Sequence, residues 1–233
     1  MARPDGIRGI LLDIEGTTTP VSFVFDVLFP FAESRLDEAC ARAGQDRRIA
    51  EAVELLREEH TTEGDDTIRF GNGSDYARFL MGQDRKSTGL KALQGVIWET
   101  GYESGKLRAQ LFADVPGALE AWRRWNIAIR IFSSGSVLAQ KLLFAHTERG
   151  DLREFFDGYH DTTTGPKRVA DSYRRIASAF GLPAETVLFL SDVVEELDAA
   201  RDAGMRTGLL RRPGNATTEP HDHAAYDDFL PLA

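Results

Sequence analysis

Ile10-Leu11-Leu12-Asp13-Ile14-Glu15-Gly16-Thr17-Thr18 decides how the rest of this 233-residue chain is read. An apolar run of strand character ends on a carboxylate, and a second acid follows two residues later, ahead of Gly and Thr. Acids at i and i+2 of an extended segment project to the same side. The carboxyl end of a strand is also where open α/β sheets hold their ligands.

Outward from this stretch, 7–13 reads as the first strand. Residues 126–132, 155–159, 187–190 and 205–210 read as further strands. Between them, 116–125, 137–147, 169–180 and 195–203 carry helical spacing, with Pro116 placed for a helix start and Gly181 for a helix end. Such alternation predicts an α/β fold with a parallel, doubly wound sheet. The stretch between the first and second strands is far too long for a simple crossover. Within it, 33–60, 76–81, 90–98 and 101–111 read as helical, and 61–66 and 71–74 as loops. The expected organisation is therefore a catalytic core of residues 1–20 plus 115–233 and an inserted helical cap of residues 21–114.

Bulk composition narrows the function classes. Hydrophobic residues make up 42% of the chain, enough for a sizeable core, and 28 basic against 37 acidic residues give a net charge of −9. An acidic chain without a basic stripe speaks against nucleic acid as partner. No apolar run approaches a membrane span and the N-terminus has no signal core, so no membrane partner is expected. Cys40 is the only cysteine; an intramolecular disulfide is impossible, which suits a reducing, cytoplasmic setting.

Four short segments at or beyond strand ends carry groups suited to phosphoryl transfer. Asp13 is the expected nucleophile and Glu15 the acid/base, protonating the leaving oxygen and then activating water. A carboxylate approaching a phosphate needs a bridging cation, for which Mg²⁺ fits, and the backbone carbonyl of Glu15 is the favoured contact from that residue. Ser133-Ser134-Gly135-Ser136 ahead of a helix offers hydroxyls and helix amides to a phosphate, although serine in this place is more often a plain N-cap. Lys167 would act as a point charge on the phosphate, although a lone lysine is usually solvated. Asp192, directly after the apolar strand 187–190, is placed to hold Mg²⁺ or to cap the next helix. Glu196, one turn along the next helix, could orient metal waters, although surface exposure is the plainer expectation.

The order of these groups matches the four motifs of the haloacid dehalogenase (HAD) superfamily. Leu12–Pro20, Asp26–Pro30, Phe132–Val137, Gln140–Phe144 and Leu188–Asp192 further resemble the enolase-phosphatase (acireductone synthase) family, as do Asp84-Arg85-Lys86-Ser87, Leu90–Gly95 and Arg212-Pro213-Gly214-Asn215. The Asp-Ile-Glu variant is the most specific of these, and Gln45–Asn72 matches least. The resemblance implies a HAD-type Rossmann-like core with a helical cap and a usually monomeric enzyme of methionine salvage. It implies one Mg²⁺ per subunit at Asp13, Glu15 and Asp192, and phosphate binding by Ser133, Ser134 and Lys167. The implied substrate is a small phosphorylated diketone, first enolised and then dephosphorylated. A general HAD phosphatase without enolase activity is the alternative; a dehalogenase would leave Glu15, Lys167 and Asp192 without purpose, and an inactive binding scaffold would not need intact acids.

Other candidates have plainer readings. Arg85, Lys86 and Lys91 suit either an anion or a solvated helix face. Phe23, Phe25, Phe29 and Phe31 are expected in core packing rather than in a ligand pocket. His221 and His223 are expected in a solvated tail, since no further metal ligands accompany them. The sequons at Asn72 and Asn215 read as accidental.

Overall fold

A computed structural model describes residues 4–63, 68–83, 85 and 87–233, apart from the side chain of Glu63. The chain divides into two compact units, Met1–Val24 with Arg108–Ala233, and Phe25–Leu107.

The first unit is built on a six-stranded sheet whose strands are β1 (Gly9–Leu12), β2 (Ala128–Phe132), β3 (Gly158–His160), β4 (Val187–Ser191), β5 (Arg206–Leu210) and β6 (Ala224–Tyr226). They lie in the order β3-β2-β1-β4-β5-β6, and every pairing is parallel. The chain thus moves outward from β1 to β3, returns to set β4 against β1, and moves out again. The topological switch lies between β1 and β4, where a parallel sheet opens its ligand crevice. Both central strands are buried along their whole length, as their almost wholly apolar sequences require; the exception is Ser191, which ends β4. The helices of this unit are α6 (Val115–Arg124), α7 (Val137–Ala145), α8 (Ala170–Phe180) and α9 (Val194–Asp202), and Leu11, Phe132, Phe189 and Leu209 join Tyr173 and Ile176 of α8 and Leu197 of α9 in one cluster. Gly181, at φ +65°, closes α8 in the left-handed conformation.

The second unit is helical: α1 (Phe29–Glu33), α2 (Leu36–Ala41), α3 (Arg47–Glu63), α4 (Ser74–Gly82) and α5 (Thr88–Glu103), preceded by a π-helical turn over Phe23–Leu28. α3 and α5 approach closely at Gly89, where a Cβ would lie 2.7 Å from the Leu56 nitrogen. Glu59 of α3 accepts the Thr88 and Gly89 amides, while the Ser87 hydroxyl accepts the Leu90 amide, so the start of α5 is capped from two sides.

Several expectations change here. No helix spans 101–111: α5 runs on to Glu103 and ends at a turn with Gly105 at φ +70°. Thr61 and Thr62, expected in a loop, continue α3 with hydroxyls bonded to Arg57 and Glu58 carbonyls. Glu63 ends α3, and residues 64–66, like Lys86, lie outside the described residues. Phe23 is buried, but Phe25 is 53% exposed and stands edge-on to Phe29, which stacks on Trp98. His223 is not in a solvated tail. It is buried beside β6, an edge strand absent from the sequence reading, and its ring nitrogens meet the Thr207 hydroxyl at 2.8 Å and Asp198 at 3.1 Å. The Ala224–Tyr226 segment is only three residues long, too short for side-chain periodicity to announce it.

Candidate active site

Asp13 follows β1 at the switch point, and its amide donates to the Leu190 carbonyl of β4 at 3.0 Å. The residue is buried, with 5% exposure. Three donors hold its carboxylate: the Ile14 amide at 2.8 Å, Lys167 Nζ at 2.8 Å on Oδ1, and the Ser191 hydroxyl 3.2 Å from Oδ2.

Lys167 is the hub of this cluster. Its ammonium also meets Glu196 Oε2 at 2.7 Å, and its side chain is only 10% exposed. Burial alone would pull the ammonium down; the Asp13 and Glu196 charges outweigh it and hold the lysine above its ordinary value. The Tyr173 hydroxyl donates to the Lys167 carbonyl at 2.7 Å, anchoring the segment ahead of α8 from within the core. Glu196, expected at the surface, is buried. It sits in the first turn of α9, facing inward, and helical spacing alone could not distinguish it from its exposed neighbour Glu195. Burial, followed by the Asp13 charge, pushes its carboxyl up to about 7. Ser191, not singled out from sequence beyond its place before Asp192, lies with its hydroxyl 3.3 Å from Glu196 and within reach of Asp13, and accepts the Val193 amide.

Ser133 follows β2, next to β1 in the sheet, and is buried; its hydroxyl accepts the Gly135 amide at 3.2 Å. The N-cap of α7 (Val137–Ala145) is Ser136, whose hydroxyl accepts the Ala139 amide. Ser133 and Ser134 are therefore not the helix cap, and both stand at the same end of the sheet as Asp13.

Glu15 is half-buried in a tight loop in which the Thr17, Thr18 and Thr19 amides all point at the Ile14 carbonyl. Gly16 turns at φ +65°, and a Cβ there would fall 2.2 Å from Asp192 Oδ2. Only glycine permits that approach. The segment after β5 braces the same loop. Arg212 Nε donates to the Thr17 carbonyl at 3.2 Å, while its two terminal nitrogens form a fork on Asp114 at 2.8 and 2.9 Å. Asn215 Nδ2 donates to the Gly16 carbonyl at 2.9 Å. Arg212 and Asn215 belong to the stretch resembling enolase-phosphatases; Asp114 carried no sequence signal.

Asp192 is half-buried next to this loop. Burial first, then the Asp13 charge, pushes its carboxyl up to about 7. Two carboxylates that repel each other at a sheet crevice form a place for a cation, and the donors are all oxygens, as Mg²⁺ demands. Among the described residues no three His, Cys, Asp or Glu side chains are grouped as a metal site by themselves. That is compatible with Mg²⁺, which takes one or two carboxylates and completes its shell with carbonyl, phosphate and water oxygens. The Thr17 hydroxyl and Asn215 Oδ1 are buried nearby in sequence and loop without a hydrogen-bond partner.

Arg85 and Lys91 belong to the helical unit, at the surface and half-buried respectively.

A parallel sheet with a strand-end aspartate at its switch point, a buried lysine and a facing acid is the arrangement of a phosphoryl-transfer hydrolase. The model for haloacid dehalogenase-like hydrolases matches residues 7–204, and the chain belongs to that class. Enolase-phosphatase E1 of Synechococcus elongatus is 49% identical over 98% of this chain and 99% of that one. Its counterpart from Pseudomonas aeruginosa is 48% identical over 96% and 98%. The crystal structure of the UTR4 protein of Saccharomyces cerevisiae superposes with a TM-score of 0.78 at 38% identity, over 97% of this chain and 100% of that one. Within the haloacid dehalogenase-like hydrolases the chain is a member of the enolase-phosphatase E1 family.

Proposed function

We infer that this enzyme is an acireductone synthase. It enolises 2,3-diketo-5-methylthiopentyl-1-phosphate and then removes the phosphate, releasing the acireductone 1,2-dihydroxy-3-keto-5-methylthiopentene in L-methionine salvage. The observation that carries the reading is Asp13, buried at the β1/β4 switch with Lys167 on one oxygen. A carboxylate held this way is oriented for attack on phosphorus.

Asp13 attacks the phosphorus, and the bond from phosphorus to the enol oxygen breaks. Glu15 gives that oxygen its proton, then takes one from the water that cleaves the aspartyl phosphate. Ser133, Ser134 and Lys167 hold the phosphate oxygens. One Mg²⁺ per subunit would be held by Asp13, Asp192 and the Glu15 carbonyl; when bound it screens carboxylate from phosphate. In the enolase step a base removes a proton from the carbon beside a carbonyl, and positive charge stabilises the enolate oxygen. Glu15 reaches one methylene farther than Asp would, and this reach lets one carboxylate serve both steps. A monomer acting on a small molecule completes the reading. The lone Cys40, buried in the helical unit, supports a cytoplasmic setting.

Anaerobic NMR of the protein with the diketone phosphate and Mg²⁺ tests the proposal. Phosphorylated enol should appear first and acireductone with free phosphate second. Phosphate release with no enol product would reduce the enzyme to a phosphatase. Glu15→Asp should slow enolisation more than phosphate release; full rates for both would remove the role given to reach.

A further inference from the structure

Asn215 has one end of its amide fully occupied and the other empty. Nδ2 donates to two carbonyls, Gly16 at 2.9 Å and Leu210 at 3.1 Å. Rotating the amide by half a turn would set its oxygen against both carbonyl oxygens, so the network determines which atom is nitrogen. Oδ1 is then forced the other way. It is buried, accepts no hydrogen bond, and lies 2.8 Å from the point that a Gly16 Cβ would occupy. Asp192 Oδ2 lies 2.2 Å from that same point. A buried acceptor without a donor is unfavourable, and here it stands beside the Asp192 carboxylate. Neither Gly16, which has no side chain, nor the amides of Gly16–Thr19, which bond within the loop, satisfy the Asn215 oxygen.

We propose that Asn215 is a positioning residue of the phosphoryl-transfer site. Its amide nitrogen locks the Gly16 carbonyl, and its amide oxygen accepts from a water that Asp192 shares when Mg²⁺ is bound. This rests on the Mg²⁺ reading of Asp13, Glu15 and Asp192. The two ends of one side chain thereby couple the shape of the loop carrying Glu15 to the filling of the site. Outer partners of this kind commonly change metal affinity by about 10- to 100-fold when removed. Arg212, three residues earlier, braces the Thr17 carbonyl but offers only donors, so it can share the first task and not the second.

The test is calorimetry of the full chain with MgCl₂ alone, no substrate present, on wild type, Asn215→Ala and Asn215→Asp. Thermal melts in chelator show which variants fold. Asn215→Ala loses both ends and should bind Mg²⁺ about tenfold or more weakly. Asn215→Asp keeps an acceptor and loses the donor. It should bind Mg²⁺ at least as tightly as wild type, while amide exchange at Gly16–Thr18 speeds up and kcat falls. Wild-type Mg²⁺ affinity in a folded Asn215→Ala protein would overturn the inference and leave the Mg²⁺ reading standing. Equal weakening in Ala and Asp would overturn the acceptor role. No Mg²⁺ binding by wild type would sink both readings together.

Discussion

The two units handle charge in opposite ways. At the β1/β4 switch, Lys167, Asp13 and Glu196 form a triad whose side chains are 10%, 6% and 11% exposed. In the helical unit, Arg47 and Glu51 of α3 form a pair of the same chemical kind with side chains 91% and 59% exposed. Water screens the second pair and leaves it little net worth. The first has lost its water; each charge there depends on the others, and removing one strands the rest. Ordinary residue types thus become reactive through burial and convergence, since a desolvated carboxylate and ammonium act on whatever charged group enters between them.

Substitutions test that contrast. Lys167→Met has the largest expected effect. It leaves Asp13 and Glu196 buried without their cation, and should abolish turnover and destabilise the metal-free protein by about 3 kcal/mol in urea unfolding at neutral pH. The deficit should shrink as pH falls and the stranded acids take up protons. A variant as stable as wild type at neutral pH would mean that the buried triad behaves like a surface pair.

His160 comes next, between the two extremes. It ends β3, half-buried; burial first, then the Arg130 charge, lowers its pKa from 6.5 to about 4. Between those values the unfolded chain holds a proton that the folded one refuses, so stability rises with pH through this window and is lost as pH falls from 6.5 through about 4. Denaturation at several pH values should show His160→Gln losing less stability than wild type on acidification. An unchanged pH dependence would place His160 with the solvated charges. The smallest effect belongs to Arg47→Ala, expected to stay within about 0.5 kcal/mol of wild type in the same assay.

How much of this was legible beforehand differs by region. The runs 7–13 and 187–190 read as strands because central strands covered on both faces are almost wholly apolar, while 126–132 shows itself by the alternation of Ile127, Ile129 and Ile131. Asp13 and Asp192 stood out because each directly follows an apolar strand, and Lys167 only through its place in the motif order ahead of a helix. Glu196 was misread, since its helix position says nothing about a lysine arriving from another segment. β6 was missed because three residues of edge strand carry no period, and His223 was misplaced with it.

The α/β class, the helical spacing between the first two strands and the kinds of chemical group available could be read from the chain, because hydrophobic periodicity and strand-end acids are local properties. Only the tertiary structure decided that Lys167 stands between Asp13 and Glu196, that Gly16 must yield its Cβ to Asp192, and that Asn215 faces the loop with one end satisfied and the other open. Those facts depend on which strands become neighbours. Neighbourhood in a parallel sheet is set by crossovers and burial summed over the whole fold, so no stretch of sequence contains it.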